Sequence, residues 1–232
     1  MSVFDVAVIG GGLVGTTAAW ELSRRGHSVA LIDAAFEGKA STAAVGMLTP
    51  CCEWEEYEGA AWFRFLVDYR DYYRPFLGLL NVANDAFRSV GYRPSDFYMV
   101  DLKSRAEGLA AHADVLLELG ADVRYLPAGH PEARRLALDL RSLRGVLHIK
   151  DEAFVNPRLL LRAVRRAFIS SGGVAVPGLL LDVKRSETNF DFRLKMAMPL
   201  LSVFDFRGSV ERRDRSPVWP EHRRVSRAGR DR

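Results

Sequence analysis

Cysteine is scarce in this 232-residue sequence: the only two are neighbours, Cys51 and Cys52. Adjacent cysteines cannot join distant segments, and no second Cys-x-x-Cys pair supplies the ligands of a zinc site. Neither a disulfide framework nor a structural zinc site is therefore indicated. This cysteine usage suits a reducing compartment, so we expect a cytoplasmic protein.

Long apolar runs are missing as well. No stretch reaches the roughly 20 apolar residues that a membrane span needs. The amino terminus has no basic region, and its apolar run, residues 3–9, leads straight into glycines. We therefore interpret it as a strand rather than a signal peptide, and we expect no membrane partner.

Recognisable catalytic motifs are also missing. The sequence has no Gly-x-Ser-x-Gly, no Ser–His–Asp order and no metal-ligand cluster. Its histidines have no partner at motif spacing, and we expect surface or structural roles for His27, His112, His130, His148 and His222. No catalytic or metal-binding residue is assigned.

Charge is unevenly distributed along the chain. Residues 1–184 hold 21 Lys/Arg against 22 Asp/Glu, whereas residues 185–232 hold 12 against 7. The net charge of +4 therefore belongs to the carboxyl-terminal segment. No nucleic-acid partner is expected for the remainder of the chain.

The first 33 residues follow the order of a dinucleotide-binding βαβ unit. An apolar run over 3–9 predicts a strand, and 10–15 fit Gly-x-Gly-x-x-Gly. A helical stretch then ends in two arginines and Gly26, and residues 28–32 predict a second strand that ends at Asp33. Because all parts occur in order, we prefer this interpretation to a glycine-rich turn in an ordinary α/β protein.

Each part of the unit has a physical task. Gly10 allows a tight turn, Gly12 lets the backbone approach a pyrophosphate, and Gly15 lets helix and strand pack closely. The helix start offers free N–H groups to phosphates, and Asp33 can bind the ribose of an adenosine. The motif leaves open whether the dinucleotide is FAD or a nicotinamide.

The next segment, residues 34–50, is rich in small residues, as expected where backbone approaches a ligand. Ser41 or Thr42 is predicted to cap a short helix there. Two interpretations stay open: a helix whose start faces phosphate, and an ordinary capped helix.

The glycine loop, Asp33 and the run Ser-Thr-Ala-Ala-Val-Gly-Met-Leu (41–48) resemble the amino-terminal half of the D-amino-acid oxidase superfamily of FAD-dependent oxidoreductases. The resemblance is strongest to its glycine oxidase branch, whose members oxidise glycine and related amines and serve thiamine biosynthesis in many bacteria. It implies FAD as cofactor, argues against a nicotinamide, and implies a small amino-acid or amine substrate. A homo-oligomer is compatible with it.

Motif and resemblance together predict the cofactor contacts. They are Gly10, Gly12, Leu13, Val14, Gly15, Asp33, Ala34, Ser41, Thr42, Gly46, Met47 and Leu48. The resemblance adds Leu180 beside the adenine. It also places the family's substrate-holding arginine and tyrosine beyond Lys184, where this sequence no longer matches, so no catalytic residue carries over.

The middle of the chain predicts further elements. We expect a long helix over 55–80. Its apolar residues at three- and four-residue spacing should pack in the core rather than stack on a cofactor: Trp62, Phe65, Leu66, Tyr69, Tyr73, Phe76 and Leu80. Further predictions are a strand over 97–102, a helix over 105–119, a connecting segment over 122–126 and a strand over 143–150. A helix capped by Asn156 should follow, then strands over 174–176 and 179–183.

The predicted fold class is α/β: a Rossmann-type FAD-binding domain with part of an inserted α+β substrate domain, truncated. We expect FAD-binding segments at 1–50 and 151–184, a partial substrate domain at 51–150, and a basic, non-homologous tail at 185–232 outside the fold. An anionic-partner arm is the alternative for that tail.

Two functions follow from this interpretation. One is an FAD-dependent oxidoreductase that oxidises the C–N bond of a small amino acid or amine. The other is a truncated, catalytically inactive dinucleotide-binding fragment of such an enzyme.

Overall fold

The computed structural model places eight strands and seven helices within the residues it describes, which are 3–36, 40–55, 58–80, 90–103, 108–136, 141–185 and 190–196. The strands are β1 (Val6–Ile9), β2 (Val29–Asp33), β3 (Met47–Leu48), β4 (Arg93–Leu102), β5 (Val123–Pro127), β6 (Leu143–Phe154), β7 (Val174–Arg185) and β8 (Phe190–Met196). The helices are α1 (Leu13–Arg24), α2 (Ala40–Ala43), α3 (Pro50–Glu53), α4 (Gly59–Leu79), α5 (Leu109–Glu118), α6 (Pro131–Arg135) and α7 (Pro157–Ser170). None of these described helices has the length and apolarity to cross a bilayer.

The first sheet has the strand order β1-β2-β7-β8. Its first three strands are parallel, with Leu31 between Val8 of β1 and Ala175 of β7. Parallel neighbours need crossover connections, which α1 supplies between β1 and β2 and the excursion ending in α7 supplies between β2 and β7. The predicted α/β architecture is confirmed.

Helices α1 and α7 bury one face of this sheet. Trp20 of α1 and Phe168 of α7 lie in one apolar cluster with Leu31. The start of α7 is capped as predicted, since Asn156 Oδ1 accepts hydrogen bonds from the backbone N–H groups of the second and third helical residues, at 3.0 and 3.1 Å. This capping fixes where the chain returns to the first sheet.

The second sheet is antiparallel and is built around the long strand β6. Strand β4 pairs along one edge of β6, and β3 and β5 pair along the other. The sheet packs on α3, α4 and α5 through Trp54, Phe63, Leu116 and Ile149. The connecting segment predicted over 122–126 is wrong, because alternate apolar residues there face this core while the backbone pairs with β6.

The domain boundary predicted at residue 150 falls inside β6. The backbone does change at this point: Asp151 has a φ of +58°, and the pairing of β6 with β4 shifts register between Ser95 and Phe97. Beyond this irregularity β6 pairs with β3 at Phe154 and leads into α7. Strand β6 and helix α7 therefore carry the chain from the second sheet back to the first.

The long helix is present as α4, but its apolar face is wrongly predicted in part. Trp62, Phe65 and Tyr69 are 43%, 54% and 50% exposed, whereas Phe63 and Leu77 are buried. Helix α4 bridges the two apolar clusters, so only one side of each half reaches a core and the opposite side stays outside. The remaining predicted residues do pack inward: Leu66, Tyr73, Phe76 and Leu80.

The fold extends beyond Lys184, so the predicted start of a tail at residue 185 is wrong. Strand β8 pairs antiparallel with β7, and Leu194 opposite Leu180 is 6% exposed. Leu194 packs on Ile32 and Val176, on the sheet face opposite α1. The alternation of apolar and polar residues over 190–196 is a strand signal, which the local charge obscures. The predictions for 197–232 lie outside the described residues.

We predict that Leu194→Ala lowers the free energy of unfolding by about 2–5 kcal/mol, the usual effect of truncating a buried leucine. Leu181→Ala is the matched control, because Leu181 on β7 is 51% exposed. Its effect should be within roughly 0.5 kcal/mol. Urea unfolding followed by circular dichroism measures both. Equal stability of the two variants would mean that β8 does not contribute to the core.

Glu152 is a buried carboxylate within β6, only 1% exposed. Its Oε1 accepts a hydrogen bond from the Cys51 backbone N–H at 3.2 Å, while Oε2 has no partner among the described atoms. Burial raises the pKa of the Glu152 carboxyl, because the charged form loses hydration. At a pH where the carboxyl of Glu152 is ionised in the unfolded chain, this side chain therefore lowers the free energy of unfolding.

We predict that Glu152→Gln stabilises the protein increasingly as the pH rises above about 4.3, the ordinary glutamate pKa. The raised folded-state pKa means that the unfolded chain loses this proton first, so wild-type stability falls with pH in that window. The gain is about 1.4 kcal/mol for each unit by which the pKa is raised.

Chemical unfolding across the acid to neutral range tests this prediction. Glu118→Gln, at the exposed end of α5, is the control and should not change the pH dependence. Parallel pH profiles for wild type and Glu152→Gln would contradict the assignment of a penalty to this carboxylate.

Candidate dinucleotide-binding site

The glycine loop joins β1 to α1 in a conformation that depends on glycine. Gly10 has a φ of +102°, a region that side chains disfavour. Its backbone N–H donates to the carbonyl of Ile32 at 2.8 Å, which fixes the loop against β2. The turn therefore delivers the chain directly from the end of β1 to the start of α1.

Gly15 lies where α1 passes over the loop. A β-carbon at this position would overlap the Gly10 carbonyl oxygen and would lie 3.5 Å from Val8 Cγ1. Only glycine lets helix and strand approach this closely. The close packing expected from the motif is thus present in the fold.

The Asp33 carboxylate lies against the same loop. A β-carbon on Gly11 would lie 2.7 Å from Asp33 Oδ2, so the carboxylate occupies the space beside the loop backbone. Parallel strands end at one edge of a sheet, which is why the end of β2 meets the turn after β1. A carboxylate and a helix start therefore share one edge of the first sheet.

Ser41 comes to this edge from a different element. Its Oγ accepts a hydrogen bond from the backbone N–H of Leu13, the first residue of α1, at 2.8 Å. The prediction that Ser41 or Thr42 caps its own short helix is wrong, because both lie inside α2. The hydroxyl of Ser41 caps α1 instead, a contact across 28 residues that local sequence patterns do not predict.

Helix α2 is held in place by α7. Arg158 Nε donates to the backbone carbonyl of Thr42 at 3.1 Å. A β-carbon on Gly12 would lie 3.0 Å from Ser41 Oγ, so the hydroxyl closes directly over the loop. The arginine thereby fixes α2 in the position that brings Ser41 to α1.

The segment after α2 contributes mainly to structure. Gly46 has a φ of +81°, and its carbonyl accepts from Val155 N–H at 2.9 Å. Leu48 is 7% exposed and lies in the core cluster that contains Trp20, while Met47 is 45% exposed. Of the predicted contacts in this segment, only Met47 has a largely accessible side chain.

Leu180 and Ala34 are the remaining two predicted cofactor contacts. Leu180 is partly buried in the cluster formed by Ile32, Val176 and Phe192, which gives it a packing role. Ala34 follows Asp33 directly and precedes Ala35, whose φ of +55° turns the chain sharply out of the sheet. The place of Leu180 beside the adenine stays a prediction.

The first turn of α1 is accessible to a ligand. Val14, its second residue, is 87% exposed. Helix N-termini attract anions through free N–H groups and the helix dipole. Together with Asp33 and the Ser41 hydroxyl, this edge can hold a pyrophosphate and an adjacent ribose, so the residues present fit a dinucleotide.

The adjacent cysteines lie away from this chemistry. Cys51 is buried and Cys52 half-buried, and both are free thiols. Burial raises the pKa of the Cys52 thiol to about 12 and also raises that of Cys51. Both thiols therefore stay protonated near neutral pH and are poor nucleophiles.

His148 is a structural residue of the second sheet. Its Nε2 lies 2.8 Å from Asp96 Oδ2, its Nδ1 lies 3.3 Å from Glu132 Oε1, and its ring stacks on Tyr98 at 4.6 Å. These contacts join β6, β4 and α6. In the described part of the chain, no three His, Cys, Asp or Glu side chains are grouped as metal ligands.

The fold is similar to those of several solved flavoenzyme structures. A glycine oxidase from Geobacillus kaustophilus matches 84% of this chain and 52% of its own, at 21% identity and a TM-score of 0.72. An iminodiacetate oxidase from Chelativorans sp. BNC1 matches 82% and 51%, at 24% identity and a TM-score of 0.67. An FAD-bound L-α-glycerophosphate oxidase from Mycoplasma pneumoniae matches 84% and 50%, at 14% identity and a TM-score of 0.64.

The chain thus spans about half the length of the solved structures that it matches. No curated protein matches it. The family model described as FAD-dependent oxidoreductase matches residues 5–190, a span that includes strands β1 to β7 and the whole candidate site. Since this match covers most of the sequence, the chain belongs to the DAO family of FAD-dependent oxidoreductases.

Proposed function

We propose that this protein is an FAD-dependent oxidoreductase of the D-amino-acid oxidase and glycine oxidase type, which oxidises the C–N bond of a small amino acid or amine. The observation that carries the proposal is the meeting of the glycine loop, the Asp33 carboxylate and the Ser41 hydroxyl at one sheet edge. Similarity to a glycine oxidase and an iminodiacetate oxidase supports the substrate class.

The residues at this edge would bind the ADP part of FAD. The first turn of α1 would hold the pyrophosphate, and the Ser41 hydroxyl, which accepts from Leu13 N–H, keeps its own proton to donate to a phosphate oxygen. Asp33 would accept hydrogen bonds from the ribose and repel a 2′-phosphate, which favours FAD over NADP. The bound flavin supplies the electron-accepting chemistry.

The other predicted contacts are weaker parts of the proposal. The backbone carbonyls of Thr42 and Gly46 already accept hydrogen bonds within the fold, and the Leu48 side chain is buried, so these three contacts stay predictions. Ala34, Met47 and Leu180 stay predictions from the motif and the resemblance. A role in thiamine biosynthesis and a cytoplasmic location are likewise part of the proposal.

A second candidate is a chain that binds the dinucleotide without turning over a substrate. This candidate is favoured by the length of the match, because the chain spans only about half the length of the solved oxidases. A substrate carboxylate needs a positioned cation, best a bidentate arginine. We assign no residue of this chain to that role.

We predict that Gly12→Val abolishes binding of FAD and ADP. The first added carbon already meets Ser41 Oγ, and the branched side chain would fill the space beside the α1 start. Gly129→Val is the matched control, because a β-carbon there meets nothing within 4 Å. Isothermal titration with ADP and FAD measures the effect, with circular dichroism to check folding. A folded Gly12→Val variant with wild-type affinity would refute the site.

A turnover assay distinguishes the two candidates: if the second is right, the 232-residue chain reconstituted with FAD will bind the cofactor but produce no hydrogen peroxide from glycine, sarcosine or D-alanine. Positioning of a substrate over the flavin supplies much of the rate enhancement, and the positioning cation is unassigned. Turnover at or above about 1 s⁻¹, the lower edge of ordinary enzyme rates, would establish the oxidase and eliminate the second candidate.

A further inference from the structure

Arg158 is the second residue of α7 and lies beside the candidate dinucleotide site. Its guanidinium has five N–H donors, of which Nε–H donates to the Thr42 carbonyl at 3.1 Å. Among the residues that the structure describes, its two Nη groups have no acceptor and its charge has no carboxylate partner. The side chain is exposed, so these four donors are open to a ligand.

Helices α1 and α7 begin at the same edge of the first sheet. Strands β1, β2 and β7 are parallel, α1 leaves the end of β1, and α7 leads into the start of β7. Both helices therefore run against the strand direction and begin where β1 and β2 end. Helix α2 joins the two starts, because Ser41 Oγ accepts from Leu13 N–H at 2.8 Å and the neighbouring Thr42 accepts from α7.

Positive charge is in excess at these two helix starts. Each start carries a partial positive charge, and neither α1 nor α7 has an acidic residue in its first turn. The same dipole disfavours a cation in a first turn, which is where Arg158 lies. Asp33 brings a carboxylate to the glycine loop but makes no ion pair with Arg158. A bound anion would offset the excess.

The contact with Thr42 does not by itself account for an arginine at this position. One carbonyl needs one donor, and an uncharged side chain can supply it. Burial does not account for the residue either, because Arg158 is exposed. The bond at Nε does restrain the planar guanidinium, so binding an anion through the Nη groups loses less side-chain entropy.

We propose that Arg158 binds a phosphate oxygen of the dinucleotide through its Nη groups, while Nε–H continues to hold α2. This inference rests on the proposed function, because it adds a residue to the same cofactor site. Arginine suits the role, since its planar fork forms paired, charge-assisted hydrogen bonds with phosphate. The first turn of α1 and a cation from α7 would then share the pyrophosphate.

Binding of ADP and of adenosine tests the proposal, because the two ligands share base and ribose and differ in the phosphates. In the 232-residue chain, Arg158→Met should weaken ADP binding roughly tenfold or more, the effect of losing a charge-assisted hydrogen bond, and leave adenosine binding within about twofold. Arg158→Lys keeps the charge without the fork and should lose less ADP affinity. Isothermal titration measures ADP, ligand-observed NMR measures adenosine, and circular dichroism checks folding.

Arg162→Met is the matched control. Arg162 lies one turn further along α7, is exposed, and has no ion pair among the described residues. Its removal takes the same charge from the same helix but not from the helix start. ADP affinity should therefore stay within about twofold of wild type, as expected for an exposed charge that solvent screens.

Ser41→Ala separates direct binding from positioning. If Arg158 acted only by placing Ser41, Arg158→Met would cost no further ADP affinity in a chain that already carries Ser41→Ala. We expect the loss to persist in that chain. We also expect it to shrink as the salt concentration rises, because salt screens an ion pair.

Three results would overturn the role of Arg158 and leave the proposed function standing. They are wild-type ADP affinity in Arg158→Met, an equal loss for ADP and adenosine, and a loss that disappears in the Ser41→Ala chain. A wild type that binds no ADP would instead eliminate the proposed dinucleotide site, and the role of Arg158 with it.

Discussion

The approach of α1 to the glycine loop is the contact on which the rest of the structure depends. The helix passes so close to the Gly10 carbonyl that Gly15 has no room for a β-carbon. This approach fixes the direction in which α1 leaves β1, and therefore which face of the first sheet α1 covers. Trp20 then reaches the cluster that α7 completes. A side chain at Gly15 would disturb the loop and the core together.

The same contact brings polar groups from three segments to one edge. Asp33 arrives there because β2 runs parallel to β1, and Ser41 arrives because Arg158 of α7 holds the carbonyl of Thr42. The candidate site is thus coupled to the packing of α7, which is far away in sequence. Its serine hydroxyl also caps α1, so a single hydrogen bond serves both helix stability and the proposed ligand.

Two features outside the site show how the second sheet is attached. Strand β6 runs from that sheet to the start of α7, and its irregularity at Asp151 marks where the pairing changes. Helix α4 spans the two apolar clusters through Phe63 and Leu77, which leaves Trp62, Phe65 and Tyr69 exposed on its other side. The exposure of these rings therefore follows from the way α4 bridges the clusters.

The sequence alone determined the local features of this protein. The glycine spacing specified the loop, and Asn156 specified the start of α7, because both act through neighbouring backbone. Tertiary structure decided the rest. Ser41 caps a helix 28 residues away, Trp62 faces outward although its spacing is that of a core residue, and β8 joins the sheet through Leu194. Periodicity shows that a face is apolar, but only the packed fold determines which surface covers it.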